Sequence, residues 1–321
     1  MDEFSFIDSI KQKYYKQPTL LKGVGDDAAV FRQQNKDIVT SVDTMVENVH
    51  FAKYTMSPFH AGYRALAANI SDLAAMGAVP AFYLVSIVIP ADLSNEDAGS
   101  IFSGMESLAS LYRMDLIGGD TVSGKELSIS ITVIGYTEPG RARYRSSARQ
   151  GDLVFVTGSL GDSQAGFHIL ANKGEYEEES YFIERHRMPS PRVDFAAKLS
   201  GIKRVSLNDI SDGLANEVNE IADASQVTII LNEKDLPVSP QYPQFPVDLQ
   251  HKWKLYGGED FELVGTVAED DWESVKEAAS NTDTVVTPIG YVAERSLSSK
   301  VYLITDNGKI PLYSEGYTHL K

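Results

Sequence analysis

Apolar runs of strand length recur along the chain, and several break off at a carboxylate flanked by glycine, serine or threonine. The loci are Gly23-Val24-Gly25-Asp26-Asp27, Ser41-Val42-Asp43-Thr44, Gly118-Gly119-Asp120-Thr121, Asp209-Ile210-Ser211-Asp212-Gly213 and Gly257-Gly258-Glu259-Asp260. A further carboxylate, Asp72, sits inside a small-residue helical run. Taken singly, each is the ordinary chemistry of a turn or a helix cap. Taken together, they offer the oxygen ligands that hard divalent cations select, beside glycines that let a phosphate approach the backbone. Asp43 and Asp120 are expected just past strand-like runs, where open α/β sheets place their ligands. Magnesium usually keeps several waters, so each ion needs only one or two protein carboxylates, and this set can hold several ions on a triphosphate.

At 321 residues the chain is long enough for two cores. A content of 43% hydrophobic and 23% charged residues is that of an ordinary globular protein. The net charge of −16 argues against nucleic acid and anionic membranes as partners, which need a basic footprint. It does not exclude nucleotides, because metal ions can bridge a polyphosphate to an acidic pocket. With no cysteine, disulfides, thiolate zinc sites, iron–sulfur clusters and cysteine nucleophiles are excluded. No run approaches the roughly 18 apolar residues of a spanning helix, and Met1-Asp2-Glu3-Phe4 lacks the pattern of a signal peptide, so a cytoplasmic location is expected.

The spacing of Phe4, Ile7, Ile10 and Tyr14 predicts a helix over Met1–Gln17. A strand over Ile38–Val42 is expected to end at Asp43. Ser57 as cap, Pro58 in the first turn and Gly77 at the end bracket a helix whose stripe is Tyr63, Leu66, Ile70 and Leu73, with Asn69 and Asp72 on another face. Leu84–Ile89 reads as a strand, and Ser94-Asn95-Glu96-Asp97 as a capping box opening a helix with Ile101, Met105, Leu108 and Tyr112 on one side. Leu127–Val133 alternates cleanly as a strand. Glu138-Pro139-Gly140, followed by Arg141, Arg143 and Arg145, marks a boundary between domains 1–140 and 141–321. Beyond it, strands are expected at Leu153–Thr157, Thr228–Leu231, Phe261–Val267, Val285–Ile289 and Val301–Ile304. Helices are expected at Arg192–Leu199 and Leu214–Ala224, and Glu175–Glu179 as a solvated loop or helix end.

Gly119-Asp120-Thr121-Val122-Ser123-Gly124-Lys125 fits half of a Walker motif. Glu126 then stands where a magnesium-binding hydroxyl is required, and a strand follows where a helix is needed, so a P-loop is rejected.

Six strings, in order, resemble the motifs of the thiamine-monophosphate kinase family: Gly25-Asp26-Asp27-Ala28-Ala29; Asp43-Thr44 with Glu47 through His50-Phe51; Asn69 through Gly77; Gly118-Gly119-Asp120-Thr121; Asp209 through Leu214; and Gly258-Glu259-Asp260-Phe261-Glu262-Leu263. The resemblance runs from about Gly23 to Gly316-Tyr317. It implies an ATP-dependent, Mg2+-assisted phosphorylation of thiamine monophosphate to thiamine diphosphate by direct in-line transfer, without a phosphoenzyme. It also implies a two-domain α/β (α+β) fold like that of aminoimidazole ribonucleotide synthetase, whose N-terminal domains pair into a dimeric β-barrel and whose active site lies between the domains. By the same resemblance Asp27, Ser41, Val42, Asp43, Asp72, Asp120, Asp209 and Asp212 occupy metal positions. Val42 stands where the family often has threonine and offers only its carbonyl, and Asp26 and Asp27 remain interchangeable. Gly119, Asp120, Arg145 and Ser211 match nucleotide-phosphate contacts, with Asp43, Asp120 and Arg145 central to the chemistry. The guanidinium of Arg145 presents a bidentate fork to phosphate. His50, Glu259 and Tyr317 match acceptor contacts, and an aromatic ring such as that of Tyr317 can stack on the cationic thiazolium.

The rival enzymes are other ATP-using relatives. Selenophosphate synthetase and the hydrogenase-maturation enzyme usually carry a cysteine that this chain lacks, and the Asn69–Gly77 and Gly257–Leu263 strings disfavour aminoimidazole ribonucleotide synthetase. A non-catalytic metal or nucleotide binder is a reading from another class, disfavoured because every matched metal position but Ser41 and Val42 stays acidic.

Overall fold

Two hydrogen-bonded sheets, joined through residues 138–151, organise the residues that the computed structural model describes: 20–22, 29–33, 35–296 and 300–315. The helix expected over Met1–Gln17, the Asp26-Asp27 locus and Tyr317 lie outside them.

The first sheet contains β1 (Leu20–Lys22), β2 (Ala29–Gln33), β3 (Lys36–Val46), β4 (Val79–Pro90), β5 (Asp115–Gly124) and β6 (Ser128–Thr137), in the order β1-β2-β3-β6-β4-β5. Only β4 and β5 run parallel. One face is covered by α1 (Pro58–Ala75) and α2 (Asn95–Leu111). The opposite face stays open, with Val42 58% and Val122 45% exposed, and β5 is exposed along its whole length. Within the single chain the described sheet does not close into a barrel; β1 and β5 are its edges.

Both helices begin where local chemistry predicts. Ser57 Oγ accepts from the His60 N–H at 3.4 Å with Pro58 following, and Ser94 Oγ accepts from the Asp97 N–H at 3.0 Å. Gly77, at φ +67°, follows α1 in the left-handed conformation that glycine favours. Helix α1 is buried on nearly every side, because beyond the first sheet and α2 it also meets the second half of the chain at β8 (Val205–Asp209) and α5 (Val193–Lys198). Where α1 and α2 cross, a Cβ on Gly104 would lie 1.9 Å from the Phe59 carbonyl oxygen, and one on Gly62 1.9 Å from that of Ile101. Gly104→Ala is therefore expected to force the helices apart and cost about 1–3 kcal/mol, read as a lower urea midpoint. An unchanged midpoint would show that the crossing relaxes freely.

The second sheet is ordered β13-β12-β9-β11-β7-β10-β8. It comprises β7 (Asp152–Thr157), β8, β9 (Val227–Asn232), β10 (Leu263–Ala268), β11 (Val286–Arg295), β12 (Lys300–Thr305) and β13 (Gly308–Pro311). Helix α6 (Leu214–Ser225) packs on it, while α3 (Asp162–Ala171), α4 (Glu179–Arg187), α7 (Val247–Tyr256) and α8 (Trp272–Ser280) complete the half.

Several boundaries depart from expectation. Asp43 and Asp120 lie within strands, not past them. The reason for β3 is its antiparallel ladder with β6, which runs unbroken from Asp37↔Thr137 to Val46↔Ser128. For β5 it is parallel pairing with β4 out to Pro90↔Gly124, which draws a polar, glycine-rich run into the sheet against its propensity. Strand β10 starts at Leu263 instead of Phe261, because Phe261 takes φ +50°. The acidic stretch Glu175–Glu179, by contrast, is as expected an exposed loop that runs into a helix end, with Glu179 opening α4.

Candidate active site

Helix α1 is the element around which the polar residues gather, because it lies between the two sheets and presents side chains to both. Asn69 is buried and tied to its own helix through a 2.9 Å hydrogen bond from Nδ2 to the Ala65 carbonyl; its Oδ1 accepts the Asp43 N–H at 3.0 Å. Asp72 accepts a hydrogen bond from Ser41 Oγ on β3. Ser71 Oγ donates to Asp209 at 2.7 Å, crossing from α1 to the end of β8. One helix thus brings Ser41, Asp43, Asp72 and Asp209 to a single junction of the two halves.

That junction is electrostatically loaded. Burial pushes the Asp209 carboxyl up to about 6, with Asp43 and Glu220 adding like charge against the relief from Ser71 and Arg145. Asp43 keeps access to solvent, yet the surrounding protein also raises its carboxyl above the usual range by desolvation. Glu217 on α6 is buried and its carboxyl is raised well above the ordinary range, by burial first and then by Glu220, Asp212 and Asp209. Its carboxylate receives Asn208 Nδ2 at 2.6 Å and the Asp212 N–H at 3.1 Å. Arg145 inserts the compensating charge. Its Nε donates to Asn208 Oδ1 at 3.1 Å, a guanidinium nitrogen lies 3.2 Å from Glu220, and its carbonyl accepts Ser206 and Ser225 hydroxyls.

The loop carrying Glu259 is stitched to the loop carrying Ser211 and Asp212. The Glu259 N–H donates to the Ser211 carbonyl at 2.7 Å and the Phe261 N–H to that of Ile210 at 3.0 Å. A Cβ on Gly258 would stand 2.0 Å from the Ser211 oxygen, so glycine is required by the contact between the loops. The Glu259 carboxylate pairs with Arg64 of α1.

Other expected residues stand apart. Asp120 pairs across the ladder with Ser86, which pairs with Ser130, which pairs with Thr44. Residues directly opposite share a face, so Asp120 lies on the open face, whereas Asp43 shares a row with the buried Ile131 and Val85. The Asp120 carboxylate accepts the Thr121 N–H at 3.0 Å. Val42 likewise points to the open face. Gly119 has a cause of its own for lacking a side chain: a Cβ would lie 1.9 Å from the Val85 carbonyl oxygen. His50 turns inward at the end of β3, its Nδ1 accepting the Val46 N–H at 2.9 Å.

Among the described residues no three carboxylate or histidine groups are gathered tightly enough to enclose a cation unaided. The donor set nevertheless fits magnesium. It is all oxygen, and the Asp43 charge helps to raise the Asp209 carboxyl, a repulsion that a cation relieves. Reading the sequence missed Arg64, Ser71, Asn208 and Glu217. Only Ser71 lay inside a quoted motif; Arg64 is defined by Glu259, 195 positions away, and Asn208 and Glu217 meet across the turn between β8 and α6, nine positions apart.

The chain matches the family models for the AIR synthase related protein N-terminal domain over residues 25–137 and C-terminal domain over residues 149–302. It is 46% identical to the thiamine-monophosphate kinase of Bacillus subtilis (strain 168), covering 100% of both chains. Among solved structures, that of "AaThiL complexed with AMPPCP and TMP" superposes with a TM-score of 0.84 at 31% identity, over 99% of this chain and 97% of that one. The thiamine-monophosphate kinase of Stenotrophomonas maltophilia K279a does so with a TM-score of 0.78 at 32% identity, over 94% and 96%.

Proposed function

The chain belongs to the thiamine-monophosphate kinase family, and from that premise we propose how its own residues carry out the reaction. The activity is ATP-dependent phosphorylation of thiamine monophosphate, giving thiamine diphosphate and ADP. The proposal is direct in-line transfer of the γ-phosphoryl group, assisted by several Mg2+ ions, in the cleft where α1 meets the Asp209–Asp212 and Gly257–Phe261 loops.

The observation that carries it is the cross-domain cluster itself. Asp43, Asp72 and Asp209 come from three elements and each is held by a hydrogen bond: the Asp43 N–H donates to Asn69 Oδ1, and the Ser41 and Ser71 hydroxyls donate to the carboxylates of Asp72 and Asp209. These residues, with Asp27, Ser41, the Val42 carbonyl and Asp212, would hold Mg2+, which when bound neutralises phosphate oxygens and keeps them aligned, and Asp120, on the opposite face of the sheet, would hold an ion apart from that junction. Gly119, Asp120, Arg145 and Ser211 would contact the nucleotide phosphates; Arg145 brings positive charge into an otherwise acidic site. His50, Glu259 and Tyr317 would contact the acceptor. His50 is oriented for this by the Val46 N–H, which its Nδ1 accepts at 2.9 Å. No general base is required, because the attacking phosphate is already an anion, so the work of these residues is positioning and charge compensation.

The open face of the first sheet and the exposed edge β5 favour a homodimer in which two such sheets pair, with residues 1–140 forming the paired domain and 141–321 completing the cleft. No helix among the described residues is long and apolar enough to cross a membrane. A cytoplasmic site of action belongs to the same proposal, as both substrates are small, highly charged solutes.

A phosphorus NMR time course with ATP, Mg2+ and thiamine monophosphate tests the reading. Thiamine diphosphate is expected to grow in step with ADP, and no turnover is expected when EDTA exceeds the metal. ADP with free phosphate in place of thiamine diphosphate would overturn the acceptor, and full turnover in excess EDTA would overturn the role of the metal.

A further inference from the structure

Among the described residues Arg64 is the largest side chain buried completely, and it is placed on α1 two helical turns before Ser71. Residues seven apart share a helix face, so Arg64 and Ser71 form two contacts from one rigid rod to the second half of the chain: Ser71 to Asp209 and Arg64 to Glu259. The Arg64 guanidinium also lies over the Phe261 ring, 5.5 Å from its centroid. Its Nε and Nη1 have no hydrogen-bond partner among the described residues.

A buried guanidinium with two unpartnered donors is an expensive way to hold a protein together. Each unpaired donor costs free energy, and apolar replacements of buried ion pairs are often neutral or stabilising. The residues it touches point elsewhere. Glu259 and Phe261 are non-glycine residues at φ +66° and +50°, in the left-handed region that disfavours them. The backbone of Glu259 is fixed by Ser211 within the second half, but its carboxylate, 32% exposed, is paired among the described residues only to α1 in the first half.

We propose that Arg64 is a positioning residue: it holds the Glu259 carboxylate in the orientation that receives the acceptor, and sets that loop at a fixed distance from the Asp209 locus. The proposal rests on the reading of Glu259 as an acceptor contact. Arg64 acts through Glu259 and touches no reacting atom. Because the helix joins both contacts, the acceptor site and the carboxylates at the junction are positioned by the same element; Arg64 itself touches Glu259 and Phe261, and its contacts do not include Arg145 or Ser211.

The test compares Arg64→Met, Arg64→Lys, Glu259→Gln and the double variant Arg64→Met/Glu259→Gln in steady-state kinetics and urea denaturation. Arg64→Met is expected to raise KM for thiamine monophosphate about tenfold or more, to leave KM for ATP within about twofold, and to leave the urea midpoint unchanged or higher. Arg64→Lys keeps the charge and is expected to recover part of the loss. In the Glu259→Gln background, Arg64→Met is expected to add less than about twofold, since the two act as a unit. Equal losses for both substrates together with a lower midpoint would make Arg64 a structural residue and overturn the proposal; Arg64→Lys carries the same test should the methionine variant not fold. An elevated KM in Glu259→Gln with a normal KM in both Arg64 variants would also overturn it while sparing Glu259. A normal KM in Glu259→Gln would instead strike at the assignment of Glu259 itself.

Discussion

Asp209→Asn is expected to lower kcat/KM by at least about a hundredfold while the metal-free protein becomes no less stable. Asp209 is 1% exposed, ends β8 and receives the Ser71 hydroxyl. Asparagine keeps an oxygen in the same place for that hydrogen bond and has nearly the same volume. What it removes is the charge. Burial raises the carboxyl from 3.8 to about 6, so folding is disfavoured by its ionisation. The sign follows directly: below about pH 4 the group is protonated in both folded and unfolded chains and costs nothing. As pH rises through the unfolded value and then through about 6, the folded chain progressively carries a charge it would otherwise shed, and the full penalty, on the order of 3 kcal/mol, stands above that. Thermal unfolding in EDTA should therefore show the variant melting at or above the parent at pH 7.5, with the gap closing towards pH 4. A variant that melts well below the parent at pH 7.5, or that turns over normally with Mg2+, would remove Asp209 from the site. A residue that loses stability in the resting protein and is nonetheless ionised at neutral pH is placed for a partner that arrives later, and a cation is the partner its chemistry fits.

Glu262→Ala has the opposite profile. Glu262 is fully buried and holds two arginines, with Arg192 Nε and a guanidinium nitrogen of the same residue at 2.6 Å and Arg185 at 2.8 Å, while Thr157 Oγ1 donates to it at 2.6 Å. Burial alone would raise its carboxyl, but Arg192 and Arg185 outweigh that and hold it below the ordinary range. Removing it strands two guanidiniums in the interior, and a loss of about 3–5 kcal/mol is expected in urea unfolding. Glu262→Gln preserves the volume and the Thr157 contact, yet fails to compensate the arginines, so it should recover only part. The pH dependence is also reversed from that of Asp209. The stabilisation from Glu262 is present above the ordinary carboxylate value of 4.5 and is lost as pH falls through its lower folded value. A midpoint within about 1 kcal/mol of the parent at pH 7 would mean that the arginines find other acceptors.

These two residues show how a motif can be read correctly and understood incompletely. The string Gly258 through Leu263 carries the resemblance to the family, but only Glu259 in it escapes burial. Asp260 is buried, its carboxyl pushed up to about 7 by burial, and it accepts the Gly161 and Ser163 N–H groups at 2.7 and 3.0 Å, at the start of α3. Glu262 anchors Arg185 and Arg192. Much of what makes the string distinctive therefore maintains architecture, and the architecture holds Glu259 in place. The same holds for Asn69 through Gly77, where Asn69 and Ser71 support Asp43 and Asp209, which lie on other elements.

From the sequence alone came whatever is settled by neighbours within a turn of helix or along one strand. Ser57 and Ser94 as caps, Gly77 beyond α1, the alternation that became β6 and the carboxylate loci themselves depend on bonds spanning three or four residues, or on period-two burial. The tertiary structure alone decided how far β3 and β5 extend, that α1 is buried on both sides, and which carboxylates meet. Ladder pairing with β6 and β4 overrode local propensity in the strands. Ser71 with Asp209 and Arg64 with Glu259 join residues 138 and 195 positions apart, and free energies of that kind exist only once the chain has brought both ends together.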